Sequence, residues 1–198
     1  MTIAGATYRE GVAYSPDGAM YVTNAGGTDV AVADGGTGAS TAQAAAQNLG
    51  VPYIIAQSGA AVAAPGDTNE NTLATIAIPA NSMGANGRIK VRAFFTCPSS
   101  ANNKTFKFVF GGTTISSLVV TTVTQEDMWV EIMNLNATNS QRSSQTMSMT
   151  SSALTFANTA TAAIDTTQAV NLTITVTKAS GGEAVSLIWY YVEAMYKA

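Results

Sequence analysis

From residue 72 to the C-terminus the apolar and polar positions of this chain alternate with a period of two, segment after segment. Ile89, Val91, Ala93 and Phe95 fall on one side of an extended segment while Arg88, Lys90, Arg92 and Phe94 fall on the other, the signature of a half-buried strand. Phe106, Phe108 and Phe110 repeat the pattern against Thr105, Lys107 and Val109. Val170, Leu172, Ile174 and Val176 repeat it against Asn171, Thr173, Thr175 and Thr177. Further strands are predicted over 114–122, 128–135, 145–150, 153–157 and 185–196, and the apolar run 51–64 supplies another before Pro65-Gly66-Asp67. Gly111-Gly112 and the polar stretches 125–127, 136–144 and 180–182 punctuate them. Asn102-Asn103 is predicted to close a hairpin between 88–95 and 106–110, because Asn tolerates positive φ. Some eight or nine strands at this spacing, with no helix between them, predict a mainly β fold: an antiparallel sandwich of jelly-roll type, with a closed barrel as the alternative.

Strand 185–196 breaks the alternation. Val185, Leu187, Trp189 and Tyr191 share one face, yet Ile188, Tyr190, Val192 and Tyr196 make the other face apolar as well. A strand with two apolar faces is covered on both, by a second subunit or, as the alternative, as an ordinary inner strand. Leu187, Ile188, Trp189, Tyr190, Tyr191 and Tyr196 are therefore the expected contacts between copies. Trimeric jelly rolls of the tumour-necrosis-factor kind bury a strand of this character at the threefold, and this one is similar.

The chain before residue 53 follows other rules. Residues 8–14 and 19–23 read as two short strands joined by Ser15-Pro16-Asp17-Gly18, a type I or II turn signal, with a third strand over 28–33. So small a meander buries no core of its own. Residues 1–34 are thus expected to be a β arm docked on another protein through Tyr8, Tyr14, Met20 and Tyr21, a disordered tail being the alternative. Residues 35–52 carry a glycine loop and the one helical pattern: Ser40 or Thr41 caps it, Ala and Gln fill it, Gly50 ends it and Pro52 forbids continuation. Residues 53–198 form the head.

Gly36-x-Gly38 between an apolar run and a helix has the order of a dinucleotide site. However, Thr41 stands in place of the third Gly or Ala, no Lys-Ser/Thr follows, and no strand-helix repeat comes after. A different reading comes from resemblance. The run Gly35-Gly36-Thr37-Gly38-Ala39-Ser40-Thr41-Ala42-Gln43-Ala44-Ala45-Ala46-Gln47-Asn48-Leu49-Gly50-Val51 resembles the GGTG(A/S)TTAAxAxxNLG segment of bacteriophage tail-fibre and related virion proteins. There it links a virion-facing part to a distal β-rich part, often in trimers. Residues 77–87, with Ala101-Asn102-Asn103-Lys104-Thr105 and Gly111-Gly112-Thr113, are similar to jelly-roll heads of phage structural proteins.

Composition narrows the chemistry. Among 198 residues 46% are hydrophobic, enough for a sizeable core, while 11% are charged, under half the usual share. A net charge of −3 gives no electrostatic basis for nucleic-acid binding. There is no His, so no Ser-His-Asp or Cys-His relay and no His-ligated metal. The single Cys97 rules out an intrachain disulfide and reads as a small buried hydrophobe. Glu126, Asp127 and Glu131 leave open a glycosidase-like carboxylate pair or an oxygen-ligated calcium, but in a strand they point different ways. The expectation is no enzyme, no cofactor and no metal.

Arg88, Lys90, Arg92, Lys104 and Lys107 fall within twenty positions on two strands expected to be neighbours. They are either a positive stripe for an acidic partner or a solvated face balanced by Glu126, Asp127 and Glu131. Asn136, Asn139, Gln141 and Arg142, in a polar loop, suit sugar recognition. Arg88, Lys90, Arg92, Asn136, Asn139 and Arg142 are thus the candidate ligand surface. No signal peptide and no apolar stretch of about eighteen residues is expected to direct the chain into or across a membrane. The resemblance implies a virion protein made in a bacterial cytoplasm. It would be a homotrimer, held to a tail or major capsid protein by the arm, with a host cell-surface glycan as possible ligand. Receptor-binding fibre and capsid decoration or head fibre are the two roles it implies.

Overall fold

A computed structural model describes residues 36–149 and 160–198, the side chains of 146–149 excepted, together with the backbone of three short strands before residue 36. The chain divides into two compact units, Met1–Leu49 and Gly50–Ala198.

In the first unit β1 (Thr7–Arg9), β2 (Val12–Tyr14) and β3 (Met20–Val22) form an antiparallel meander with Thr7 opposite Tyr14 and Val12 opposite Val22. The strand expected over 28–33 and the side chains of Tyr8, Tyr14, Met20 and Tyr21 lie outside the described residues. Helix α1 is Ala42–Leu49. Thr41 caps it, its hydroxyl accepting from Ala44 N at 3.1 Å and its carbonyl from Ala45 N at 2.9 Å. Gly50 ends it at a φ of 66°, the left-handed C-terminal conformation that glycine adopts most readily. Asn48 Nδ2 then donates to the carbonyls of Thr37 and Gly38, at 2.9 and 3.1 Å. The glycine loop is thereby folded back on the helix, which gives the linker run a structural role without any phosphate.

The second unit is two antiparallel sheets. The larger has the order β12 (Thr161–Ala162), β11 (Gln141–Met149), β10 (Gln125–Asn134), β7 (Arg88–Thr96), β14 (Ser186–Met195), β4 (Tyr53–Ser58), with β5 (Val62–Ala63) also on β14. The smaller has the order β6 (Asn71–Ile78), β13 (Val170–Lys178), β8 (Lys104–Phe110), β9 (Thr113–Val120). Four pairings nest inside one another: β8 with β9, β7 with β10, β6 with β13 and β4 with β14. A long antiparallel ribbon wound in this way is the jelly roll, with β11 and β12 inserted between β10 and β13.

The alternating residues explain the packing. Ile89, Val91, Ala93 and Phe95 from the larger sheet and Phe106, Phe108, Phe110, Leu172, Ile174 and Val176 from the smaller are fully buried. They meet between the sheets, where the Phe95 and Phe106 rings are 4.4 Å apart. At the β8–β9 turn Gly111 and Gly112 have φ of 55° and 81°, the two positive values a type I′ hairpin requires. Asn102-Asn103 makes no hairpin. It carries the chain from β7 in one sheet to β8 in the other, because period-two alternation sets which side is buried and not which strand is the partner. Lys104 and Lys107 consequently do not lie beside Arg88, Lys90 and Arg92.

The segment 79–87 holds the C-terminus. Met83 O accepts from Lys197 N at 2.9 Å, Asn86 N donates to Lys197 O at 2.9 Å, and Asn134 Nδ2 donates to Gly84 O at 2.6 Å. A β-carbon on Gly87 would sit 1.7 Å from the Met83 carbonyl oxygen, backbone that cannot step aside. Gly87→Ala is expected to cost roughly 2–4 kcal/mol, lowering the melting temperature by several degrees. Gly182→Ala, where a β-carbon meets nothing within 4 Å, is expected to stay within about 0.5 kcal/mol. Thermal melts followed by circular dichroism compare the two.

Candidate functional site

The face of the larger sheet turned away from the core is built by one irregularity. Leu187 pairs with Phe95 and is fully buried, but the register shifts before Trp189, which pairs with Phe94. Ile188 is the extra residue of this bulge and resets the alternation. After it Tyr190, Val192 and Ala194 turn inward, while Trp189, Tyr191, Glu193 and Met195 turn outward. The six residues expected as contacts between copies therefore divide. Trp189 and Tyr191 are on the outer face, Leu187 is in the core, Tyr190 packs against the core, Ile188 is half-buried at the bulge, and Tyr196 lies over Gly84. A strict two-residue period put Leu187 and Trp189 on one face, and the bulge separates them.

Register places the rest of the face. Trp129 of β10 is opposite Arg92 of β7, which is opposite Tyr191; Glu131 is opposite Lys90, which is opposite Glu193; Met133 is opposite Arg88, which is opposite Met195. The Trp189 and Phe94 rings stack, 5.7 Å apart and 4° from parallel. Arg92 is the hub: its Nε and one terminal nitrogen donate to the two Asp127 oxygens at 2.9 and 2.6 Å, and its Cζ lies 5.3 Å from the centre of the Trp189 ring. This two-pronged carboxylate contact, with Tyr191 beside it, holds the guanidinium charged even more firmly than usual. Lys90 pairs with Glu193 at 3.6 Å and lies 5.4 Å from the Trp129 ring centre, and Arg88 pairs with Glu131 at 3.1 Å. Arg88, Lys90 and Arg92 are thus a charge-paired face and not a positive stripe. Glu193, and not Glu126, is the third acid that balances this face.

Glu126 is instead fully buried, with neither carboxylate oxygen hydrogen-bonded within the described residues. It has the parity of the buried Met128, Val130 and Ile132, which was the available signal. Asp127, one residue on, faces out, so the adjacent acids form no catalytic pair. Among the described residues no three His, Cys, Asp or Glu side chains converge as metal ligands, and no helix is long and apolar enough to cross a membrane.

Arg142 lies in β11 and not in a loop, opposite Met133 on the outer face. Asn136, at a φ of 57°, and Asn139 are exposed in the β10–β11 turn that precedes it. Glu131, Met133, Leu135, Arg142, Ser143 and Ser144 line an open cleft of about 190 Å³ beside that turn. Gln141, expected with these polar residues, is buried, its side chain bonded to Asn134, Thr138 and Ile164.

No protein-family model and no curated protein matches the chain. Among solved structures it is similar to the Lotus tetragonolobus seed lectin, at 12% identity over 75% of this chain and 94% of that one, with a TM-score of 0.41. It is also similar to the CBM2 module of the evolved Dit of Lactobacillus casei BL23 phage J-1, at 10% identity over 60% of this chain and 67% of that one, TM-score 0.29. The insecticidal delta-endotoxin Cry8Ea1 of Bacillus thuringiensis is similar at 16% identity over 68% of this chain, TM-score 0.34. This chain spans 19% of the endotoxin's length. The fold assignment rests on the nested pairing of the chain's own strands.

Burial pushes the Glu126 carboxyl up to about 8, and the Asp127 charge adds to the effect. A carboxyl raised in the folded state contributes fully below its ordinary range and loses that contribution as pH climbs toward the folded value. Stability is therefore expected to fall by about 3 kcal/mol between about pH 5.5 and pH 8.5. Glu126→Gln is expected to flatten that dependence. Urea titrations of both proteins at the two pH values check this, and parallel losses would place the titrating group elsewhere.

Proposed function

We propose that this chain is a non-enzymatic bacteriophage virion surface protein. It assembles as a homotrimer through the part of the larger sheet's outer face that lies over β7 and β14, anchors through residues 1–34, and presents its head for binding to a host receptor. The observation that carries the reading is that part of the face, where Trp189, Phe94, Tyr191 and Trp129 surround charges already neutralised within the chain.

Aromatic side chains, Met and Arg are the residues enriched in the centres of protein interfaces. Each aromatic ring carries 150–250 Å² of surface in all. Covering what is still exposed on one ring, about a third or less, gains about 1–2 kcal/mol at 25 cal/mol per Å². Several rings per copy are of the order needed to offset an association cost of about 4–15 kcal/mol. The internal ion pairs remove the usual obstacle. Because Arg92 already has Asp127 and Lys90 already has Glu193, copies that meet over β7 and β14, clear of Arg142, do so without stranding a charge or setting like charges against each other.

The virion setting rests on the resemblance of the linker run 35–51. A chain without His, and with its two adjacent acids on opposite sides of a strand, offers no relay for catalysis. The second reading, a capsid decoration or head-fibre protein, is favoured by the arm. Its strands β1, β2 and β3 have 3 residues each, too little for a core and suited to lying along a shell built by another protein.

Antibody against the head is expected to label intact particles at the distal end of the tail. Label spread over the capsid would select the decoration role, and particles without label would overturn the virion reading itself.

A further inference from the structure

We infer that the cleft between β10 and β11 is a subsite for one carboxylate-bearing sugar residue, with Arg142 as the group that takes the carboxylate. The inference deepens the receptor-binding reading and rests on it for its biological use. The cleft itself is complete within one chain.

Four cations stand on the outer face of the larger sheet, and their circumstances differ. Arg88, Lys90 and Arg92 each have a carboxylate, on Glu131, Glu193 and Asp127. Arg142 has none among the described residues. Its register partners are Met133 on β10 and Thr161 on β12, and the nearest acid along β10, Glu131, is engaged by Arg88 at 3.1 Å. An exposed guanidinium on a strand, with its donors uncommitted among the described residues, is a ready site for two-pronged binding of a carboxylate.

The remaining walls name the rest of the ligand. Met133 and Leu135 are 38% and 47% exposed, an unusual outlay of apolar surface at a single strand end. They give the cleft an apolar floor. Ser144 points outward beside them, and the Glu131 side chain, 30% exposed, forms the polar wall. Ser143 is turned inward, donating to Ile115 O at 2.6 Å, so its hydroxyl is committed to the core. A uronic-type sugar has the matching parts: a C–H face for Met133 and Leu135, hydroxyls for Ser144 and Glu131, and one carboxylate for Arg142. A neutral sugar leaves Arg142 unused, and a simple anion leaves the apolar floor bare. At about 190 Å³, open on one side, the cleft has room for a sugar ring.

The test uses the full chain and its Arg142→Gln variant, titrated separately with glucuronate, glucose, acetate and a short glutamate peptide. Chemical-shift changes at the Met133 and Met128 methyls are followed, Met128 serving as the buried control. Glucuronate is expected to bind with a Kd of about 1 mM and to shift Met133 but not Met128. Arg142→Gln is expected to weaken it about tenfold or more, and glucose to bind no better to either protein than glucuronate does to the variant. Equal binding of acetate and glucuronate would overturn the sugar class, as would tighter binding of the peptide. Unchanged glucuronate affinity in Arg142→Gln, or no saturable binding, would overturn the subsite. Particle labelling reports separately on the virion reading, so a head that binds glucuronate without labelling particles would sink that reading and leave the subsite standing.

Discussion

One inserted residue decides what this protein can present to a partner. Ile188 interrupts the pairing of β14 with β7, so that the strand enters with Leu187 in the core and leaves with Trp189 and Tyr191 on the surface. Without the bulge the same strand would aim Trp189 into a closely packed interior already filled by Phe95, Phe106 and Phe108, and would expose Tyr190 and Val192 instead. The stacked Trp189–Phe94 pair, the position of Arg92 over Trp189 and the composition of the whole outer face follow from that shift. A second shift, between Val192 and Glu193 on the β4 side, brings Ile54 and Glu193 to the same outer face.

Electrostatics then divides the acids of β10. Glu126 and Asp127 are neighbours in sequence, yet alternation sends the first into the interior, where it has no hydrogen-bond partner among the described residues, and the second to the Arg92 guanidinium. The first is pushed toward its neutral form by burial and the second accepts two hydrogen bonds from Arg92, so two adjacent carboxylates do different things. The buried ammonium groups are handled differently. Lys178 donates to the carbonyls of Pro65, Gly181 and Glu183, and Lys104 to Ser100, Asn102 and Glu183. Each is buried because the loops at that end of the sandwich wrap it in acceptors.

Much of the fold was legible in the residues. Period-two alternation located β7, β8, β9, β10, β13 and β14, and the buried sides of β7, β8 and β13, because a half-buried strand writes its environment into every second position; β12 was missed, and the strand expected over 153–157 lies outside the described residues. Partner choice was not legible: the same alternation serves a hairpin or a crossing between sheets, so Asn102-Asn103 was misread. Nor was the bulge, since both faces of 185–196 are apolar and nothing local marks Ile188 as the extra residue. The site was legible in part for the same reasons. Trp189, Tyr191, Arg88, Lys90 and Arg92 were named, but Glu193 was missed, and Arg142 was taken for a loop residue because a run of Asn, Ser and Gln conceals where β11 begins. The glycine loop had the order of a phosphate site but lacked its third glycine and its Lys-Ser/Thr, and Asn48 ties its Thr37 and Gly38 carbonyls to the helix.

The central claim is that the outer face of the larger sheet is a surface between copies of this chain. Sedimentation equilibrium of the full chain, alone and as Trp189→Glu, tests it most directly. The proposed trimer predicts a species about three times the 20.3 kDa chain mass for the unaltered protein and a single-chain mass for the variant, with the secondary structure of both unchanged. A single-chain mass for the unaltered protein at every concentration, or a trimer that ignores Trp189→Glu, would contradict it.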